Sequence, residues 1–204
     1  MRLFVALQIP EAVRASLIEL TASLRKVCPE ARWANMQKAH VTLKFIGEVR
    51  PEQGAEIRDA LKAVTDRLPV LMATSLRDKV LDVEPFEMVF AGLGFFPDAR
   101  RPRVFWAGVN GGAALARLDA AIEDALAAVG VPRESREFRA HLTLARPDAS
   151  TDTSGLRNAI AGRDAVELGR GRVDEFSLYQ SVLKSAGAEY TRLATYPLSG
   201  EQAP

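Results

Sequence analysis

The 204-residue sequence predicts an α+β fold, and three observations carry that prediction. Stretches of helical and of strand periodicity alternate along the chain. Strand pairs joined by short turns read as hairpins, which all-parallel sheets do not contain. The order helix, histidine-bearing strand, helix, hairpin also occurs twice, once around His40 and once around His141.

Taken in order, Arg2 to Gln8 is β-prone and is stopped by Pro10. From Glu11 to Val27, apolar Val13, Leu17, Leu20, Leu24 and Val27 recur at helical spacing. Ala39 to Gly47 alternates, with Val41, Leu43 and Phe45 on one face and His40, Thr42 and Lys44 on the other, as in a half-buried strand. Pro51-Glu52 opens a helix with the stripe Ile57, Leu61, Val64, Leu68. Pro69 to Pro85 suits a short helix or irregular structure. Phe86 to Phe96 and Val104 to Val109 pair as a hairpin across a Pro- and Arg-rich turn. Leu115, Leu118, Ile122, Leu126 and Val129 mark a helix that Gly130 ends. Phe138 to Ala145 is a strand stopped by Pro147. A short helix near Leu156–Ile160 precedes strands near Val173–Leu183 and Glu189–Pro197.

With 48% hydrophobic and 26% charged residues the chain can bury a core, which excludes a disordered chain. A net charge of +1 argues against a protein that coats nucleic acid by bulk charge. Cys28 is the lone cysteine, so no internal disulfide or cysteine-based metal cluster forms. No stretch approaches the roughly 18 apolar residues of a membrane span, and the apolar start reads as a strand, not a signal peptide. The expected setting is cytoplasmic.

The chain holds only two histidines, and both stand in one pattern: His40-Val41-Thr42-Leu43 and His141-Leu142-Thr143-Leu144. With nine threonines in the chain, chance places Thr two positions after both histidines with a probability of roughly 0.002. On a strand, positions i and i+2 share a face, so each motif offers an imidazole beside a hydroxyl. Two such strands facing one another suit a tetrahedral anion, phosphate above all. In-line phosphoryl transfer needs a proton removed on one side of phosphorus and delivered on the other. Zinc usually takes three or four protein ligands, which two histidines and no cysteine pair supply poorly. No Gly-x-Ser-x-Gly elbow supports a serine hydrolase.

These motifs resemble those of the two-histidine phosphoesterase superfamily, and within it the RNA 2′,3′-cyclic phosphodiesterase branch, also called bacterial 2′–5′ RNA ligase. The likeness extends to Met1–Leu7, His40–Glu48, Arg101–Gly108 and Phe138–Arg146, which together reach nearly the whole chain. Pro69–Pro85 departs from it by its length. The resemblance implies a bilobal fold over residues 1–204 as a single domain: two pseudo-two-fold-related lobes of antiparallel sheet, outer helices and a central cleft. It implies metal-free, cofactor-free hydrolysis of a 2′,3′-cyclic phosphate to a 2′-phosphomonoester. His40 is then the proton donor and His141 the acceptor, an order the residues alone leave open. Thr42 and Thr143 would donate to the non-bridging oxygens.

Arg146 is the phosphate clamp by resemblance, although strict alternation puts it opposite His141. Arg103, clustered with Arg100 and Arg101 on the hairpin turn, is placed to steer RNA. Phe138, with Phe45 and Trp106, is a candidate to stack a terminal base. Lys44, on the His40 face by alternation, adds positive potential. The implied partner is an RNA 3′ end or a small cyclic nucleotide, with no metal, membrane or obligate protein partner. Two alternatives stand: 2′–5′ ligation by the reverse reaction, and an RNA-end or nucleotide-binding module without turnover.

Overall fold

The computed structural model describes residues 1–66, 84–162, 166–185 and 187–198. Most of Pro69–Pro85 lies outside them. Among the described residues, nine strands form two antiparallel sheets. The first has β3 (His40–Glu48), β1 (Arg2–Gln8), β8 (Glu175–Lys184) and β9 (Gly187–Pro197) side by side in that order. The second runs β2 (Arg32–Trp33), β6 (His141–Arg146), β5 (Val104–Asn110), β4 (Phe86–Phe96) and β7 (Glu167–Val173). Apart from the short β2, the sheets match strand for strand: β3 with β6, β1 with β5, β8 with β4, β9 with β7. The doubling legible in the sequence is therefore a pseudo-two-fold of the fold.

The helices are exchanged between the lobes. Helix α1 (Glu11–Leu24) follows β1 of the first sheet but packs against β7 of the second. Helix α3 (Gly112–Ala128) follows β5 of the second sheet but packs against β3 and α2 (Pro51–Thr65) of the first. Their apolar stripes explain the docking: Val13, Leu17 and Leu24 on α1, and Leu115, Leu118, Ile122 and Leu126 on α3, are buried. Helix α4 (Ser154–Ile160) buries Leu156 and Ile160. Alternate residues of β1, Leu3, Val5 and Leu7, also join the main core.

Two strands absent from the sequence-based assignment, β2 and β7, have physical reasons for being missed. Two-residue β2 is too short to show a period, and β7 carries Gly169, Arg170, Gly171 and Arg172. In both sheets the leading face of the histidine strand changes partway along. Ala6 pairs with Thr42, and the next residue, Val5, pairs with Lys44, so Leu43 is an extra residue, a β-bulge. Trp106 pairs with Thr143 and Phe105 with Ala145, so Leu144 is the matching bulge.

Candidate active site

His40 and Thr42 on β3 and His141, Thr143 and Arg146 on β6 line one cleft of about 1120 Å³ between the sheets. Each histidine ring is held the same way. Nδ1 of His40 lies 2.9 Å from the Lys38 carbonyl oxygen, and Nδ1 of His141 lies 2.7 Å from that of Arg139. A carbonyl only accepts, so each Nδ1 carries the proton and donates. Nε2 is therefore left on both rings to take or give a proton. Neither threonine hydroxyl bonds another described residue, which leaves both to an incoming anion.

The two histidines differ in their surroundings. Phe4 stacks on His40 at 4.9 Å between ring centroids, and Tyr190 meets it edge-on at 5.2 Å. Burial among these rings lowers the His40 pKa, only partly opposed by its bond to Lys38. His141 instead takes the edge of Phe96, at 5.1 Å.

The bulges settle where the flanking residues point. In β6 the extra Leu144 reverses the alternation, so exposed Arg146 returns to the face of His141 and Thr143 and lines the cleft. In β3 the same device at Leu43 has the opposite consequence for Lys44. Lys44 does not share the His40 face: it turns into the protein with a side chain 1% exposed. Its ammonium lies 2.6 Å from Oε1 of Glu123 and donates to the Pro132 carbonyl at 2.8 Å. The bulge gives its place in the cleft to Phe45, which is 59% exposed. Arg146 and Phe45 are thus counterparts under the pseudo-two-fold.

Phe138 is half-buried and lines the cleft. Arg103 does not. It is exposed on the β4–β5 turn, beyond the strand end where Phe105 pairs with Ala145, and is not among the cleft-lining residues. In that turn the Asp98 carboxylate accepts the Arg100 and Arg101 backbone amides, which holds its pKa below the usual carboxylate range. Gly92-Leu93-Gly94 lies within β4 at an irregularity in its pairing with β5.

Sequence reasoning missed β2, whose exposed Arg32 stands directly opposite Arg146 in the β2–β6 pair, although Arg32 is not among the cleft-lining residues. It also missed the carboxylates lining the cleft, among them Asp119 and Glu123 on α3. Burial, and then the neighbouring Glu123, push the Asp119 pKa up to about 6. Their i, i+4 spacing was readable; their direction toward the cleft was not, because α3 crosses to the other lobe. Among the described residues no group of three or more His, Cys, Asp and Glu could hold a metal ion.

Two matched sheets, each presenting a His-x-Thr strand to a shared cleft, define a two-histidine phosphoesterase. Residues 9–184 match the family profile of the 2′-5′ RNA ligase superfamily, and the chain belongs to that superfamily. It is 37% identical over 210 residues to a Thermus thermophilus protein named RNA 2′,3′-cyclic phosphodiesterase, covering 98% of this chain and 92% of that one. An Aeropyrum pernix protein of the same name is 35% identical over 155 residues, 76% of this chain and 78% of the relative. Among solved structures, a Thermus thermophilus protein superposes with a TM-score of 0.73 at 27% identity, over 99% of this chain and all of the other. The fold also matches E. coli LigT complexed with 3′-AMP, with a TM-score of 0.70 at 22% identity over 96% and 97% of the two chains.

Proposed function

We propose that residues 1–204 act as one bilobal domain that hydrolyses RNA 2′,3′-cyclic phosphate ends to 2′-phosphomonoesters without a metal or other cofactor. The observation that carries this is the pair of imidazoles in one cleft, each with Nδ1 committed to a backbone carbonyl and Nε2 left for proton transfer. The shared name of the relatives supports the same chemistry.

Water attacks phosphorus and gives a proton to Nε2 of neutral His141. The bond from phosphorus to O3′ breaks as Nε2 of charged His40 protonates that oxygen. The product carries a 2′-phosphate and a free 3′-hydroxyl, and proton exchange with solvent resets the pair. Burial makes charged His40 the readier proton donor, in keeping with this order. Thr42 and Thr143 donate to the non-bridging oxygens as charge builds there, and the Arg146 guanidinium offsets that charge. Phe138 forms cleft wall near a bound nucleoside, and exposed Arg103 contributes long-range attraction for RNA. The lone Cys28 suits a cytoplasmic setting; no helix among the described residues is long and apolar enough to cross a membrane.

The test is EDTA-treated protein with RNA ending in a 2′,3′-cyclic phosphate. A 2′-phosphate product is expected, with His40→Ala and His141→Ala each lowering kcat by roughly 10²–10⁴-fold. Activity that requires added metal would overturn the metal-free scheme. Tight RNA binding without turnover would make the chain a binding module, and a 2′–5′ joined product with 5′-hydroxyl RNA would show the reverse reaction.

A further inference from the structure

Beside His141, on the cleft face of the second sheet, lies a hollow of about 460 Å³. That volume is within the range of small-molecule sites. It is lined by small residues, Ala91 of β4 and Gly108 of β5, and by the rings of Trp106 and Phe96; at Gly108 a Cβ would come within 2.4 Å of the Ala91 carbonyl oxygen, so glycine there lets the two strands approach. The His141 ring closes the end nearest the catalytic cleft.

The aromatic lining is built in detail. At Gly94 a Cβ would come within 2.4 Å of the Trp106 ring, so glycine there lets the indole lie across β4. Phe96 packs on that indole at 5.1 Å with rings tilted by 32°, and meets His141 edge-on. The indole Nε1 is buried and bonds no described residue, although a buried Trp N–H usually finds a partner. The side chain is thus held for its flat face and not for its donor. Arg139 and Asn110 belong to the same lining. Oδ1 of Asn110 already accepts the Gly112 amide at 2.8 Å, so its free group is the NH₂ donor. Arg139 is likewise only a donor.

Aromatic rings, small neighbouring residues and donor groups in one lining suit a flat, weakly polar heterocycle with acceptors on its edge. We infer that this hollow holds the nucleobase of the nucleotide whose cyclic phosphate lies between the histidines. The inference rests on the phosphodiesterase reading and names the part of the substrate bound outside the reacting centre. Stacking tolerates any base, because every base has a π-face. The hollow therefore distinguishes nucleotide from base-free phosphodiester without selecting one base.

The experiment compares kcat/KM for cytidine 2′,3′-cyclic phosphate and for ribose 2′,3′-cyclic phosphate, which lacks the base. Wild-type protein is expected to favour the cytidine compound. Ala91→Leu, which fills the hollow, is expected to cut that preference ten-fold or more. Trp106→Phe keeps a flat ring and is expected to retain most of it. An unchanged preference in Ala91→Leu would overturn the inference, as would a parallel fall on both substrates. If wild-type protein turns over neither compound, the phosphodiesterase reading fails by itself. Trp106 fluorescence in a Trp33→Phe background then decides the hollow. Saturable quenching by 2′-AMP that Ala91→Leu abolishes would support a base site, and no saturable quenching would overturn it.

Discussion

Replacing Lys44 by Met separates the two faces on which that lysine can lie. In the structure its ammonium is 2.6 Å from Glu123 and 2.8 Å from the Pro132 carbonyl, with the lysine side chain 1% and the glutamate 14% exposed. Removing one partner of a buried ion pair leaves the other charge uncompensated, at a cost of about 3–5 kcal/mol. That is a large share of the roughly 5–15 kcal/mol by which a domain is stable. The stranded Glu123 carboxylate also sits beside Asp119, whose pKa is already pushed up to about 6. Urea unfolding of Lys44→Met followed by circular dichroism is expected to show the loss, larger at pH 8 than at pH 5, where protonation of Asp119 takes one negative charge from beside Glu123. Lys44→Met with Glu123→Gln is expected to be more stable than Lys44→Met alone. On the folded protein, KM is expected to change by less than about three-fold, since 1.4 kcal/mol of lost binding would be ten-fold. Wild-type stability with a ten-fold higher KM would refute the reasoning and return Lys44 to the cleft face.

Three further expectations follow from the cleft. Asp119→Asn removes a carboxyl that binds its proton more tightly folded than unfolded, so wild-type stability falls as pH rises from about 4 to 6. The variant is expected to gain about 1 kcal/mol above pH 6, after allowing for solvent screening, and little at pH 4; equal effects in urea unfolding at pH 4 and 8 would refute this. With His40 as proton donor, the alkaline limb of kcat/KM is expected below the ordinary imidazole value of about 6.5. Tyr190→Ala, by exposing that ring, is expected to move the limb up; a downward shift would count against burial as the cause. Gly94→Ala forces the Trp106 ring aside and is expected to cost about 1–3 kcal/mol, with altered indole fluorescence. Unchanged stability and emission would show that the ring has room.

Much of this was readable from residue order. The helical stripes of α1, α2 and α3, and strands such as Arg2–Gln8 and Phe86–Phe96, follow from periodicity alone. The His-x-Thr pairs announced themselves by using both histidines in the chain. What alternation misplaced, at Lys44 and Arg146, traces to one cause. A bulge adds a residue without leaving a mark in composition, since Leu43 and Leu144 are ordinary strand residues. Long-range placement was also hidden: nothing in the spacing of α3 says that it crosses to the other sheet, so Asp119 and Glu123 gave no sign of reaching the cleft. Arg32 was concealed by the brevity of its strand, and the hollow by the fact that Ala91 and Gly108 matter through the side chains they lack.

The paired bulges also have a consequence for anyone editing these strands. Across each, what faces the substrate is decided by whether the strand skips or pairs one leucine, before any question of which residues follow it. Straightening β6 so that Leu144 is paired like its neighbours would leave every functional side chain in the sequence yet send Arg146 inward and present Ala145 in its stead, whereas deleting Leu144 would remove the bulge and keep Arg146 on the cleft face. Pairing Leu43 regularly would likewise bring Lys44 to the cleft face and turn Phe45 inward. A substitution scan would pass over both leucines as interchangeable core aliphatics. The information they hold lies in how the strand is paired, so redesigns of these strands must preserve the irregular register as strictly as they preserve the histidines.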